Sequence, residues 1–178
     1  FAVNATYTEE ETAILVNVGA ENLDIAIQRG GELLFARNAT PGSKAFTGTA
    51  VNDAPTATNL SAAEAYTEDT ALNLTDIVIS DVDSANVSAT LTLSNTGAGS
   101  LNTATSGAVT STWSALTGVW SASGARADAN TPLAGLTFTP ALNFNADFTV
   151  ATSVSDGVAA AITGSKAFTG TAVNDAPT

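Results

Sequence analysis

The fifteen residues 42–56 recur without a single change as residues 164–178, so that the two runs begin 122 positions apart. An identical run at this spacing predicts a tandem array of one module with the same joint between copies. Both runs end in Val-Asn-Asp-Ala-Pro-Thr, where proline forbids a helix and cannot donate to a strand ladder. We therefore interpret 42–56 as the last strand and linker of a preceding repeat, and 57–178 as a complete repeat that ends in the next linker.

The chain contains no cysteine, methionine or histidine. Disulfides are therefore excluded, and a nucleophilic triad of the usual kind cannot be assembled. Paired carboxylates can cleave glycosides, but the acids here fall at strand ends beside the linker. Gly42-Ser43-Lys44 lacks the glycine spacing of a phosphate-binding loop. The sequence therefore predicts a protein that is not an enzyme.

Charge restricts the partners of this chain. Its 17 acidic and 5 basic residues give a formal net charge of −12. Such a surface repels nucleic acid and anionic lipid, and it attracts divalent cations. No apolar run approaches the roughly 18 residues that span a bilayer. We expect neither nucleic-acid binding nor membrane insertion.

The complete repeat alternates apolar with small polar residues in one short segment after another, separated by glycine-containing turns. Period-two patterns of this kind predict about eight strands, which pack as two antiparallel sheets, immunoglobulin-like in outline. Asp156-Gly157 is a hairpin signal, and only residues 125–135 look helical. The predicted strands are 71–74, 77–79, 87–93, 109–113, 119–122, 136–138, 148–154 and 158–162.

Acidic residues gather near the linker: Asn52-Asp53, then Glu68-Asp69, then Asp81-Val82-Asp83. Hard oxygen donors of this kind are the ligands that calcium takes in proteins, so one hypothesis is a Ca²⁺ site that pins the linker to the module. The alternative is that Asp81 and Asp83 only form a turn at a strand end.

These residues resemble a family. The linker Asn-Asp-Ala-Pro, Glu68-Asp69-Thr70, Asp81-Val82-Asp83 and Ser155-Asp156-Gly157 are similar to the cadherin-like repeats of large bacterial surface adhesins secreted by type I systems, the RTX-type adhesins. The resemblance covers residues 42–178. It implies an all-β, cadherin-like (immunoglobulin-like) antiparallel β-sandwich, calcium at module boundaries, and an extracellular, cell-surface role as a stiff extender in adhesion or biofilm.

The resemblance also implies a set of calcium ligands. Asn52 and Asp53 match the inter-module Asn-Asp, Asp81 and Asp83 match the Asp-x-Asp, and Glu68 matches the strand-start acid. Asn174 and Asp175 repeat the linker ligands at the other end, where the partner acids would belong to a following module. The linker is shorter than in cadherins proper, which implies fewer or weaker ions.

Residues 1–41 do not match the part of the repeat that precedes Gly164. They predict a three-strand β-meander, which resembles a phosphate-binding segment of PilM-like actin-like ATPases, with Gly19 and Ala20 at the matching positions. They also fit a diverged end of a previous module, or a fusion. About forty residues cannot bury a core alone, and open strand edges invite strand addition from a neighbour, which makes filament formation an alternative.

Aromatic residues leave one more alternative open. Trp113, Trp120 and Tyr66 could form a platform for a surface glycan, although tryptophans that alternate with small polar residues more often fill a core or pack across a hairpin. We expect a non-catalytic structural repeat whose partners are neighbouring repeats. A carbohydrate-binding module, or a polymer subunit that contacts other copies in a filament, remains the alternative.

Overall fold

A computed structural model describes residues 51–175 throughout and, before them, the backbone of four strands. The chain divides into two compact units, Phe1–Val51 and Asn52–Thr178. The predictions for Gly19, Ala20 and the strand expected within residues 42–50 lie outside the described residues.

The first unit contains the predicted meander. Its strands are β1 (Thr8–Glu9), β2 (Thr12–Val18), β3 (Leu23–Arg29) and β4 (Glu32–Ala39). They lie in the order β1-β2-β3-β4, each antiparallel to the next. The short strand β1 comes in addition to the three strands that the sequence predicts.

The second unit is built almost entirely from strands. Its elements are β5 (Thr56–Ala57), β6 (Glu64–Thr67), β7 (Leu72–Asn73), β8 (Ile79–Ser80), β9 (Asn86–Leu93), β10 (Gly99–Leu101), β11 (Thr105–Ser106), β12 (Val109–Thr110), β13 (Thr112–Ser114), β14 (Val119–Ala125), α1 (Arg126–Ala134), β15 (Thr137–Pro140), β16 (Phe148–Ser155) and β17 (Ile162–Thr171).

These strands form the two layers of a β-sandwich, so the predicted all-β fold is confirmed. One layer is a six-stranded sheet in the order β13-β14-β9-β16-β17-β6. Facing it are the sheet β10-β15-β7 and the two-stranded pairs β5-β8 and β11-β12. Every other residue of β9 and β16 points into the core, which is the pattern that period-two alternation predicts.

The expectation of purely antiparallel sheets is wrong at one place. Strand β17 runs parallel to β6, with Phe168 opposite Glu64 and Thr171 opposite Thr67. The predicted strand over residues 158–162 is also displaced, because β17 begins only at Ile162. The hairpin connection after Asp156-Gly157 is therefore longer than a two-residue turn.

Aromatic rings fill the core beside this parallel pair. Phe148 stacks on Phe168 with ring centroids 4.7 Å apart, and Tyr66 meets the ring of Phe138 edge-on at 5.4 Å. Such stacked and edge-to-face arrangements suit the ring quadrupoles. Since Tyr66 belongs to β6 and Phe168 to β17, the cluster ties the first long strand of the sandwich to its last strand.

A buried ion pair joins the same two strands. The Lys166 Nζ is fully buried and lies 2.7 Å from the Glu64 Oε1, and it also donates to the Ala62 carbonyl oxygen at 3.3 Å. Glu64 is satisfied further by the N–H and the hydroxyl of Thr75, at 2.9 and 3.2 Å. The small polar residues around Lys166 gave no sign in the sequence of this buried partner.

We expect Glu64→Ala to lower the free energy of unfolding by about 3–5 kcal/mol, because it leaves a buried ammonium group without its counter-ion. The measurement is urea denaturation followed by tryptophan fluorescence. The exposed acid Asp76 gives the matched control, since Asp76→Asn should change stability by no more than about 0.5 kcal/mol. Equal effects of the two substitutions would contradict a stabilising role for the pair.

Candidate functional site

Two loops of the second unit hold the linker where it enters the sandwich. The Asn52 Nδ2 donates to the Asp156 Oδ2 at 2.7 Å, and the backbone N–H of Asp53 donates to the Asp83 Oδ2 at 3.0 Å. The Ser84 hydroxyl donates to the Asn52 Oδ1 at 3.2 Å. We call this region, formed by residues 81–84 and 156–159 around Asn52 and Asp53, the entry end.

Asp81 organises the first of these loops from a buried position. Its Oδ1 accepts from the backbone N–H groups of Asp83 and Ser84, at 3.1 and 2.8 Å, and Arg126 Nη1 donates to its backbone carbonyl oxygen. The Asp81 Oδ2 is buried and has no hydrogen-bond partner among the described residues. A desolvated carboxylate oxygen without a partner is costly, so this atom calls for a cation or a water.

Asp156 organises the second loop, and sequence reasoning missed this role. Its Oδ1 accepts from the N–H groups of Val158 and Ala159, each at 2.9 Å, while its Oδ2 accepts from Asn52. The hydrogen bond from Asn52, followed by that from Val158, lowers the pKa of this carboxyl below its ordinary 3.8. The Asp-Gly signal after a strand predicted only a turn, whereas the same aspartate also captures the linker.

Glu68 lies at the other end of the sandwich, where the chain leaves it. The buried Glu68 carboxylate accepts from the backbone N–H of Val173 and from the Asn145 Nδ2. Asn174 and Asp175 follow directly. We call this region, formed by Glu68, Asp69 and residues 141–147 around Val173, the exit end.

The structure thus separates the predicted ligands into two groups. Asn52, Asp53, Asp81 and Asp83 come together at the entry end, and Glu68 joins Asn174 and Asp175 at the exit end. Glu68 is near the first linker in sequence but not in space, because β6 runs from the entry end to the exit end and Glu68 follows its last residue. Its place there follows from the parallel register of β6 and β17.

Oxygen atoms dominate the entry end. Carboxylate oxygens of Asp81, Asp83 and Asp156 and the amide oxygen of Asn52 are all hard donors of the kind that Ca²⁺ takes, together with backbone carbonyls and water. Within residues 51–175, no group of three or more His, Cys, Asp or Glu side chains is arranged so that it could hold a metal ion. The unpartnered Asp81 Oδ2 is the atom that suits a cation.

The aromatic side chains do not form an exposed platform. Trp120 and Tyr66 are buried, and the Trp120 Nε1 donates to the Asn102 carbonyl oxygen at 3.0 Å. Trp113 is half-buried and lies opposite Trp120 in the β13–β14 hairpin. Both tryptophans therefore occupy the core and hairpin positions that the sequence predicts.

Comparison with known proteins adds little to the geometry. No family model and no curated protein matches the chain. A solved structure, the endo-fucoidan hydrolase MfFcnA4 from glycoside hydrolase family 107, matches with 13% identity and a TM-score of 0.27 over 97% of this chain and 24% of its own length. The chain thus spans about a quarter of that protein, and a likeness this low carries no argument. None of the described helices is long and apolar enough to cross a membrane.

We expect Asn52→Ala to raise the pKa of Asp156, because it removes the hydrogen bond that stabilises the charged carboxylate most. A carboxyl whose folded-state pKa lies below 3.8 stabilises the fold above that pH, and this contribution is lost as the pH falls through the lowered pKa. Asn52→Ala should therefore flatten the acid limb of the stability curve. The measurement is a carbon-13 NMR titration of the Asp156 carboxyl.

The exposed Asn73, on strand β7, provides a control for the loss of an asparagine side chain. Asn73→Ala should leave the Asp156 titration where it is in the unmodified chain. An Asp156 midpoint that stays unchanged in Asn52→Ala would show that the linker contact does not set this pKa.

Proposed function

We propose that this chain is a non-catalytic structural repeat of a bacterial cell-surface adhesin or filament, rigidified by calcium at its linkers and serving cell adhesion or biofilm. The observation that carries the proposal is the buried and unpartnered Asp81 Oδ2 at the end where the linker is held. The duplicated linker supports the tandem organisation. The acidic composition and the absence of cysteine and histidine support an extracellular, non-enzymatic role.

The residues of the entry end offer calcium one buried oxygen that no hydrogen bond satisfies, the Asp81 Oδ2. Asp81, Asp83 and Asp156 bring carboxylates from two loops to a linker that is held by only a few hydrogen bonds. Bound calcium would supply a divalent positive charge that offsets the mutual repulsion of these groups. Asp81 would be its first ligand through Oδ2, and Asp83, Asp156 and Asn52 would have to close around the ion from the hydrogen-bonded positions that they hold in this structure. At the exit end, Glu68 would act with Asn174, Asp175 and acids of a following module.

A carbohydrate-binding role is a weaker candidate, because Trp120 and Tyr66 are buried and Trp113 is half-covered against the core. Strand addition has one observation in its favour. The edge strand β4 pairs only with β3 among the described strands, so its outer edge offers a row of backbone groups. This observation supports the alternative of a polymer subunit that is completed by a neighbouring copy.

Calcium should raise the thermal unfolding midpoint of the chain, because a ligand that binds only the folded state stabilises it. The gain is about 2.7 kcal/mol when free calcium reaches one hundred times Kd. The measurement is thermal unfolding in millimolar calcium against excess chelator. Asp81→Asn, which keeps the shape of the side chain, should abolish most of the rise.

Two controls sharpen this experiment. Asp76→Asn removes an equal charge from an exposed position and should keep the full calcium-dependent rise. Magnesium at the same concentration should give a smaller rise, since it demands a stricter octahedral geometry. An unchanged midpoint in calcium would reduce Asp81 and Asp83 to turn residues.

If calcium-stiffened repeats are the function, the chain should stay monomeric over a hundredfold range of concentration. Sedimentation equilibrium provides the mass, and a 17.7 kDa species throughout is the expected result. A mass that rises with concentration would favour the polymer. Phe35→Pro in the edge strand β4 should then lower that mass more than Ile25→Lys in the inner strand β3, because proline removes a backbone donor from the edge.

A further inference from the structure

The large apolar side chains that remain exposed on residues 51–175 are concentrated at the two ends of the sandwich. Apart from Val78, each lies beside one of the two linkers or in a loop at the same end. They are Val82 and Val158 at the entry end, Leu116, Leu142 and Val173 at the exit end, and Val51 in the linker, at the last position of the first unit. An exposed Leu or Val is ordinary when it occurs singly, whereas a concentration on two opposite faces needs an explanation.

At the entry end, the apolar residues stand among the acids that hold the linker. Val82 lies between Asp81 and Asp83 and is 82% exposed. Val158 follows Asp156-Gly157 and is 72% exposed, and its backbone N–H binds the Asp156 carboxylate. Both side chains thus point away from a loop whose polar groups are fixed.

At the exit end, Leu142 is 83% exposed and Leu116 is 90% exposed. Leu142 precedes Asn143, whose N–H donates to Asp69 Oδ1, next to the Glu68 that binds Val173. Leu116 lies in the β13–β14 turn. Sheet register places that turn at the same end, because Val119 pairs with Thr92 and Leu93 pairs with Val150, near the start of β16.

The duplicated linker relates the two ends to each other. Val51, Asn52 and Asp53 occupy the same positions in one linker as Val173, Asn174 and Asp175 in the next. The contacts of Val173 with Glu68 and the contacts of Asn52 and Asp53 with the entry end are therefore two halves of one joint. Consecutive Cα atoms are about 3.8 Å apart, so these three residues keep facing modules within roughly 10 Å.

We propose that in the tandem array the exit end of one module docks directly on the entry end of the next, with Leu116 and Leu142 packing against Val82 and Val158 of the following copy. The inference rests on the proposed function as a tandem repeat, but not on calcium. Both facing ends carry carboxylates, which repel each other. Contact between the apolar side chains would attract the two ends even when no cation is bound. The contact is small, and the linker makes it effective by holding the partners at high local concentration.

The test uses the full chain lengthened after Thr178 by a second copy of residues 57–178, with excess chelator present. Only the first copy then has a module on its exit end. Amide hydrogen exchange at Val173, which binds Glu68, should be at least tenfold slower in the lengthened protein than in the original chain. Unchanged exchange would overturn the docking.

The same substitution in two places provides a matched control. Leu142→Ser in the first copy faces the joint and should remove most of the added protection, whereas Leu142→Ser in the second copy faces solvent and should leave it unchanged. Val158→Ser in the second copy should cause the same loss, and the two joint substitutions together should cost no more than either alone. Equal effects in both copies, or full additivity, would refute the contact.

Repeating the measurement in calcium separates this inference from the proposed function. Slower exchange at Val173 in chelator, without a calcium-dependent rise of the unfolding midpoint, would support docking and reject calcium rigidification. A calcium-dependent rise of the unfolding midpoint, with unchanged exchange at Val173 in chelator, would reject docking and leave the proposed metal site standing.

Discussion

The second unit depends on the way its last strand is fixed. Strand β17 lies between β16 and β6, and its Lys166 is buried against Glu64 of β6. The parallel register sets Thr171 opposite Thr67, so the next residue along β6, Glu68, meets the backbone that continues to Val173. The position of the departing linker therefore follows from the core pairing, and the Glu68 carboxylate fixes it.

The entering linker is held by a different kind of interaction. Side chains capture it: Asp156 and Ser84 bind Asn52, and Asp83 binds the N–H of Asp53. Asp83 is exposed and Asp156 half-buried, so salt weakens the interactions of their carboxylates, whereas the exit end is secured by a buried glutamate. This asymmetry explains why the entry end is the place where a cation would change the most, and why Asp81, the one buried acid there, is its most informative residue.

Much of the fold could be predicted from the sequence, because a strand with one buried face alternates apolar with polar residues. Residues 87–93 and 148–154 agree with β9 and β16 to within one residue at each end, and residues 125–135 agree with α1. Strand β6 was missed because Glu64 lies at an inward position where an apolar residue is expected. Its partner Lys166 also lies in a run of small polar residues, so the sequence around neither residue shows the apolar alternation that indicates a strand.

The candidate site was predictable only in part, for a related reason. Residues Asn52, Asp53, Asp81 and Asp83 do meet, as expected from their chemistry. Asp156 lies 104 positions beyond Asn52, and only the register of β16 against β9, with Ser155 opposite Ser88, brings it there. Glu68 went to the opposite end because a parallel strand carries it across the sheet, which short-range spacing cannot reveal.

The parallel neighbours β6 and β17 also determine how a pulling force would pass through the module. Stretching the chain from its two linkers draws β6 toward the entry end and β17 toward the exit end, so the adjacent strands would have to slide past each other. The hydrogen bonds between the two strands run across the pull and are then loaded together, in shear, and the Glu64–Lys166 pair links the same two strands. Resistance to such a pull depends on the rate of unfolding rather than on equilibrium stability. Separation of β6 from β17 would limit that rate.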